Sequence, residues 1–167
     1  SYKTTPEIHA GFQHRSIGNV EGFVPQCTTY FEDPGLYLEG RLYLQGNWFA
    51  DREFLKVDDS ESAGGSVMIM YQAKEVNAVL KPEGEKNFQI FVQQDENYLT
   101  ILNKGEDVRI DEDGRSFVLV IEPKLYNLVK NFVFGEHKLK LSSRSNGMAV
   151  YSFSFVSSVI PELISRN

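Results

Sequence analysis

The side chains best able to do chemistry are few: one cysteine, three histidines and several carboxylate clusters. Cys27 stands alone, so an intrachain disulfide, a CxxC redox pair and a cysteine-based zinc site are all excluded within these residues. A thiolate nucleophile needs a base, and no histidine lies near Cys27 in the sequence; a small buried or half-exposed thiol is the expectation. His9 and His14 are five positions apart in an irregular stretch, which matches no zinc signature. His137 falls in phase with Leu139 and Leu141. It should therefore face the core with its ring nitrogens satisfied, or form a buried polar link that fixes the preceding loop. Three scattered histidines with no His-x-His pair also disfavour the metal site of a cupin.

Asp111-Glu112-Asp113-Gly114 crowds carboxylates together but lacks the remaining ligand positions of an EF-hand loop, and its Asp-Gly step reads as a turn. Asp58-Asp59 and Glu32-Asp33 read as solvated loops, with a structural calcium on loop carboxylates and carbonyls as the alternative; no other cofactor is expected. Glycoside hydrolysis requires two carboxylates facing each other across a cleft, and the sequence marks no such pair. No catalytic residue is assigned, and the expectation is a protein that is not an enzyme.

Aromatic residues make up 13% of the chain and supply the strongest functional clue. Sugar rings present apolar C–H faces that stack on Tyr and Trp while amides and cations bond the hydroxyls. Tyr30, Tyr43, Trp48, Tyr98 and Tyr126 are the aromatic candidates. The ligand-contacting set expected is Tyr43, Trp48, Arg41 and Asn97, on the exposed face of the Arg41–Trp48 region and its neighbours. The competing reading puts Trp48 as a plug at one end of a sandwich and Tyr126 beneath the Pro123 turn.

The elements that position these residues are strands almost throughout. At 167 residues and 41% hydrophobic content, the chain can bury one sizeable core. A net charge of -6 with no run of basic residues argues against a nucleic-acid surface. No apolar stretch approaches the ~20 residues of a membrane-spanning helix. The first residues carry neither an initiator Met nor a signal-peptide core, so a mature product or an excised piece of a longer chain is expected.

Period-2 alternation predicts ten strands: Leu36–Gln45, Phe54–Asp58, Ser66–Tyr71, Glu75–Lys81, Asn87–Gln93, Tyr98–Leu102, Asp107–Asp111, Phe117–Ile121, His137–Leu141 and Ala149–Val156. Asp113-Gly114 and Asn146-Gly147 should each close a hairpin. Leu125, Leu128 and Val129 follow Pro123 at helical spacing, so Lys124–Asn131 is the best helix candidate, with a short strand as the alternative. Together these predict an all-β fold, an antiparallel jelly-roll β-sandwich of two sheets with at most one short helix. The expected organisation is an N-terminal arm or linker over 1–30, packed on a sandwich over 31–160, and a C-terminal tail over 161–167.

Thr5-Pro6-Glu7 with Gly11 and Arg15, Leu42 to Gly46 with Trp48, Tyr71-x-Ala73-x-x-Val76-x-x-Val79-Leu80, Gly105-x-Asp107-Val108, Pro123-x-Leu125-Tyr126-x-Leu128-Val129, His137-x-Leu139-x-Leu141 and Tyr151-x-Phe153-x-Phe155 recur in order along most of the chain. This pattern resembles the C-terminal, carbohydrate-binding-module-like domain of DipZ-type thioredoxin-like proteins. The resemblance implies a jelly-roll accessory domain, a thioredoxin-like domain of the same parent as its partner, and a periplasmic or extracellular setting. It departs at His9, where an aromatic is expected, and the paired cysteines of the redox domain are absent. The family's thiol–disulfide chemistry is therefore not carried over to this chain; the resemblance leaves it open to a full-length parent. The expected function is a non-catalytic ligand-binding domain with carbohydrate as ligand class; the alternatives are a docking or oligomerisation domain and a glycoside-active enzyme.

Overall fold

The computed structural model describes residues 3–58, 64–83 and 87–157. Eleven strands run through them: β1 (Ile8–His9), β2 (Thr28–Phe31), β3 (Tyr43–Ala50), β4 (Leu55–Val57), β5 (Gly65–Pro82), β6 (Phe88–Gln94), β7 (Asn97–Tyr98), β8 (Arg109–Ile110), β9 (Ser116–Val120), β10 (Lys124–Ser143) and β11 (Met148–Val156). Among the described residues the only helix is a 3-10 turn at Phe12–His14. All named strand pairs are antiparallel. The expected all-β sandwich of jelly-roll type is the observed class.

The register itself requires two layers. Ser143 pairs with Gly65 at one end of β5, and Met148 pairs with Pro82 at the other. A straight strand of that length would separate its ends by roughly 55–60 Å, whereas the Ser143–Met148 connection spans at most about 18 Å. β5 must therefore fold back on itself, and its partner β10 folds with it. Their register slips between Lys130 and Gly135 on β10, opposite Glu75 and Ala73 on β5. One layer holds β2, β3, the first half of β5, the second half of β10, β6, β7, β9 and β8. The other holds the second half of β5, the first half of β10, β11 and β1, with β4 bridging β3 to β11. Trp48, Tyr71, Phe31, Phe153, Leu42, Leu44 and Ile90 fill the space between.

Several expectations are corrected. Lys124–Asn131 is strand, not helix: a bulge between Asn127 and Val129 turns both Leu128 and Val129 inward, which mimics helical spacing. Leu36 and Leu38 alternate as in a strand yet are exposed; the strand begins at Tyr43, after Gly40 turns the chain at φ 79°. Ser66–Tyr71 and Glu75–Lys81 are halves of one continuous strand, as are the Lys124 and His137 segments. Asp113-Gly114 does close the β8–β9 hairpin. Asn146-Gly147 does not close one, because it carries the chain between layers and β10 and β11 both pair with β5.

The first thirty residues are stitched to the sandwich by β1 on β11, β2 on β3, and the Thr5 N–H bonded to the Gln72 carbonyl at 2.9 Å. The tail expected over 161–167, and Asp59 of the Asp58-Asp59 pair, lie outside the described residues.

Candidate functional site

The outward face of the first layer is built from cross-strand rows. Gln45 pairs with Ser66, Ser66 with Ser142, Ser142 with Phe91 and Phe91 with Phe117, so these five share one face. The next row runs Tyr43, Met68, Lys140, Gln93 and Tyr98. Each strand keeps its alternate residues for the core: Leu44, Val67, Leu141 and Val92 lie on the opposite face and are buried. The sheet thus presents amides, hydroxyls, one lysine and aromatic rings side by side.

An open groove of about 380 Å³ crosses this face. Tyr30, Gln45 and Asn47 line one side, Phe91, Tyr98 and Arg115 the other, with Lys140, Ser142 and Arg144 between and beyond. Tyr30 is 53% exposed and Tyr98 37%. Gln45 Nε2 donates to the Tyr30 hydroxyl at 3.1 Å, and its Oε1 accepts from the Asp33 N–H at 2.6 Å, which holds the amide in place. The Arg115 guanidinium stands 5.4 Å from the centre of the Phe91 ring. Its Nε donates to Asp111 Oδ2 at 2.8 Å, and Asp111 Oδ1 accepts from the Arg115 and Asp113 N–H groups at 2.9 Å each. These bonds, first the backbone one from Arg115, hold the Asp111 carboxyl below its usual range. The acidic cluster at 111–113 therefore builds a turn and orients an arginine. At the groove's end Gly64 has φ 83°, and a Cβ there would lie 2.0 Å from the Ser143 carbonyl oxygen, so only glycine lets the two segments approach.

The four residues expected to contact ligand are not brought together. Trp48 is fully buried, its Nε1 donating to the Gln45 carbonyl at 3.0 Å, because even-numbered positions of β3 face the core. Tyr43 points to the groove side but is only 4% exposed. The 33–40 loop folds over it: the Tyr37 ring packs edge-on at 5.0 Å and the Leu38 N–H donates to its hydroxyl at 2.8 Å. Arg41 lines a separate cleft with Pro6, Glu7 and Arg15. Asn97 is exposed at the β6–β7 turn, where its Nδ2 donates to the Asp95 carbonyl at 3.1 Å. Tyr30 and Tyr98 were legible as aromatics; Gln45, Phe91, Arg115, Lys140 and Arg144 were not, since only the strand register aligns them.

The other chemical candidates have structural surroundings. His137 is partly exposed rather than core, and its Nδ1 lies 2.6 Å from Asp95 Oδ2, a link to the β6–β7 turn. Cys27 is exposed. His9 and His14 stack with ring centres 4.5 Å apart. Among the described residues no three His, Cys, Asp or Glu side chains are grouped to hold a metal ion. The Tyr126 hydroxyl donates to the Glu122 carbonyl at 2.7 Å beneath the Pro123 turn, a packing role.

Residues 5–155 match the family described as thioredoxin-like C-terminal domain. The chain belongs to that family. The fold of this thioredoxin-like C-terminal domain is similar to part of a family two carbohydrate esterase from Cellvibrio japonicus, with a TM-score of 0.52 and 14% identity. The likeness covers 79% of this chain and 33% of the esterase, so the chain spans about a third of that protein's length. No curated protein matches the sequence. No helix among the described residues is long and apolar enough to cross a membrane.

Proposed function

We propose that this thioredoxin-like C-terminal domain is a non-catalytic accessory module that binds carbohydrate in the groove between Tyr30 and Tyr98, within a parent of the DipZ type. The observation that carries the reading is the co-location of two exposed tyrosines with amide, hydroxyl and guanidinium groups on one pre-ordered sheet face. Rings supply stacking surface, while Gln45, Asn47 and Ser142 offer both donors and acceptors for hydroxyls. The face is held by strand pairing, so little ordering cost falls on binding. No cofactor is needed for this task. Calorimetric titration with a panel of oligosaccharides tests it: binding that weakens on Tyr98→Ala supports the reading, and absence of binding to every sugar sinks it.

A second reading rests on a different surface. The register slip on β10 pushes Phe132 and Val133 outward, with Phe132 90% exposed. The loop carrying the exposed Ile101 and Leu102 is tied beside them, the Lys130 N–H donating to the Asn103 carbonyl at 2.9 Å. Exposed apolar clusters mark docking sites. A thioredoxin-like domain of the same parent is the occupant that the family suggests, and both readings can hold in one molecule. In a chain extended to include that domain, Phe132→Ser should free the two domains to tumble independently by NMR relaxation; unchanged joint tumbling would remove this reading.

A further inference from the structure

The charge of the groove runs against that of the chain. The protein carries 23 carboxylates against 17 Lys and Arg, yet Arg115, Lys140 and Arg144 all line the groove, and among the described residues no Asp or Glu lines it. Arg115 is partly neutralised, by Asp111 at 2.8 Å and Asp113 at 3.4 Å. Lys140 and Arg144 are not: among the described residues no carboxylate pairs with either. The nearby Asp33 carboxylate is engaged elsewhere, accepting from the Tyr37 hydroxyl at 2.6 Å and the Gly35 N–H at 2.9 Å.

A second cleft of about 400 Å³ adjoins the first and shares Phe91, Arg115 and Arg144 with it; Asn87, Phe88, Gln89 and Ser145 line it too, and among the described residues no carboxylate does. The positive strip therefore extends past the tyrosines toward the start of β6. Two cations with no carboxylate partner among the described residues, set beside aromatic rings, suit a chain of sugar rings that carries negative charge at intervals, since each ring can stack while each charge meets a cation.

We infer that the groove selects anionic oligosaccharides, bearing carboxylate or sulfate groups, over neutral ones, with Lys140 and Arg144 as the charge-reading residues. This rests on the carbohydrate reading above. The probes are oligogalacturonate and oligoglucuronate, their uncharged methyl esters, and a sulfated oligosaccharide. An acidic oligomer should bind, its affinity should fall as salt rises, and it should lose about tenfold in the Lys140→Gln/Arg144→Gln protein, two partly screened contacts together. The uronates and the sulfated probe separate the two sources of charge. Equal binding of a uronate and its methyl ester, or affinity unmoved by the double substitution, overturns the inference and leaves the carbohydrate reading standing. Failure of charged and neutral probes alike overturns both.

Discussion

Asn131 Nδ2 donates to the Tyr71 hydroxyl at 2.9 Å, across 60 positions of sequence, inside the sandwich where both residues are buried. The Tyr71 hydroxyl donates in turn to Gln94 Oε1, and Gln94 Nε2 donates to Asn131 Oδ1 at 2.7 Å, closing a ring of three side chains. It joins β5, β6 and β10 at the point where β5 and β10 bend between layers. Tyr71→Phe leaves Gln94 and Asn131, both buried, each short of a partner. It should destabilise the domain by about 1–3 kcal/mol in urea unfolding, with the groove's ligand affinity unchanged in the folded protein.

The same ring sets an alkaline limit. Burial pushes the Tyr71 phenol well above its ordinary value, the bond from Asn131 acting in the opposite sense. The folded state holds this proton more tightly than the unfolded chain, so the stability it contributes is complete below the ordinary phenol value of about 10 and declines as pH rises beyond it. Tyr37, raised by burial and by its bond to Asp33, shifts in the same direction. Denaturant midpoints measured across alkaline pH should fall for the natural protein and fall less steeply for Tyr71→Phe.

Trp48 is the sole tryptophan, which makes its surroundings directly observable. Its emission should be that of a buried indole, poorly quenched by iodide and unmoved by saturating sugar. Trp48→Ala should cost about 3–5 kcal/mol of stability, because it removes the bulk of a fully buried side chain and leaves a cavity.

Asp95 and Glu96 turn β6 into β7 with φ of 52° and 73°, a region that favours glycine. The turn survives because Asp95 accepts from the Lys138 N–H at 2.9 Å and meets His137 at 2.6 Å. Glu96→Gly should relieve left-handed strain and raise stability by about 0.5–1 kcal/mol, less the exposed Lys138 pair that it removes, as a rise in thermal midpoint.

Strand class was legible because alternation survives in Phe88, Ile90 and Val92 or in Leu139 and Leu141, where one face is buried. The bend of β5 and β10 was not, since alternation simply changes phase where the strand crosses layers, and a phase change reads as two strands. The bulge at Asn127–Val129 produced helical spacing for the same reason. Tyr43 alternates with Leu42 and Leu44 and so lies on the face opposite them, but the 33–40 loop that covers it left no periodic signal. The groove depends on pairings such as Ser66 with Ser142 and Ser142 with Phe91, which are long-range choices of register and not local preferences.

The most direct measurement is an amide-resolved NMR titration of the labelled domain with an acidic oligosaccharide. Saturable shifts confined to Tyr30, Gln45, Asn47, Phe91, Tyr98, Lys140, Ser142 and Arg144 are what the groove predicts. Shifts centred instead on Arg41 and its neighbours Glu7 and Arg15, or a spectrum that no sugar perturbs, would contradict it.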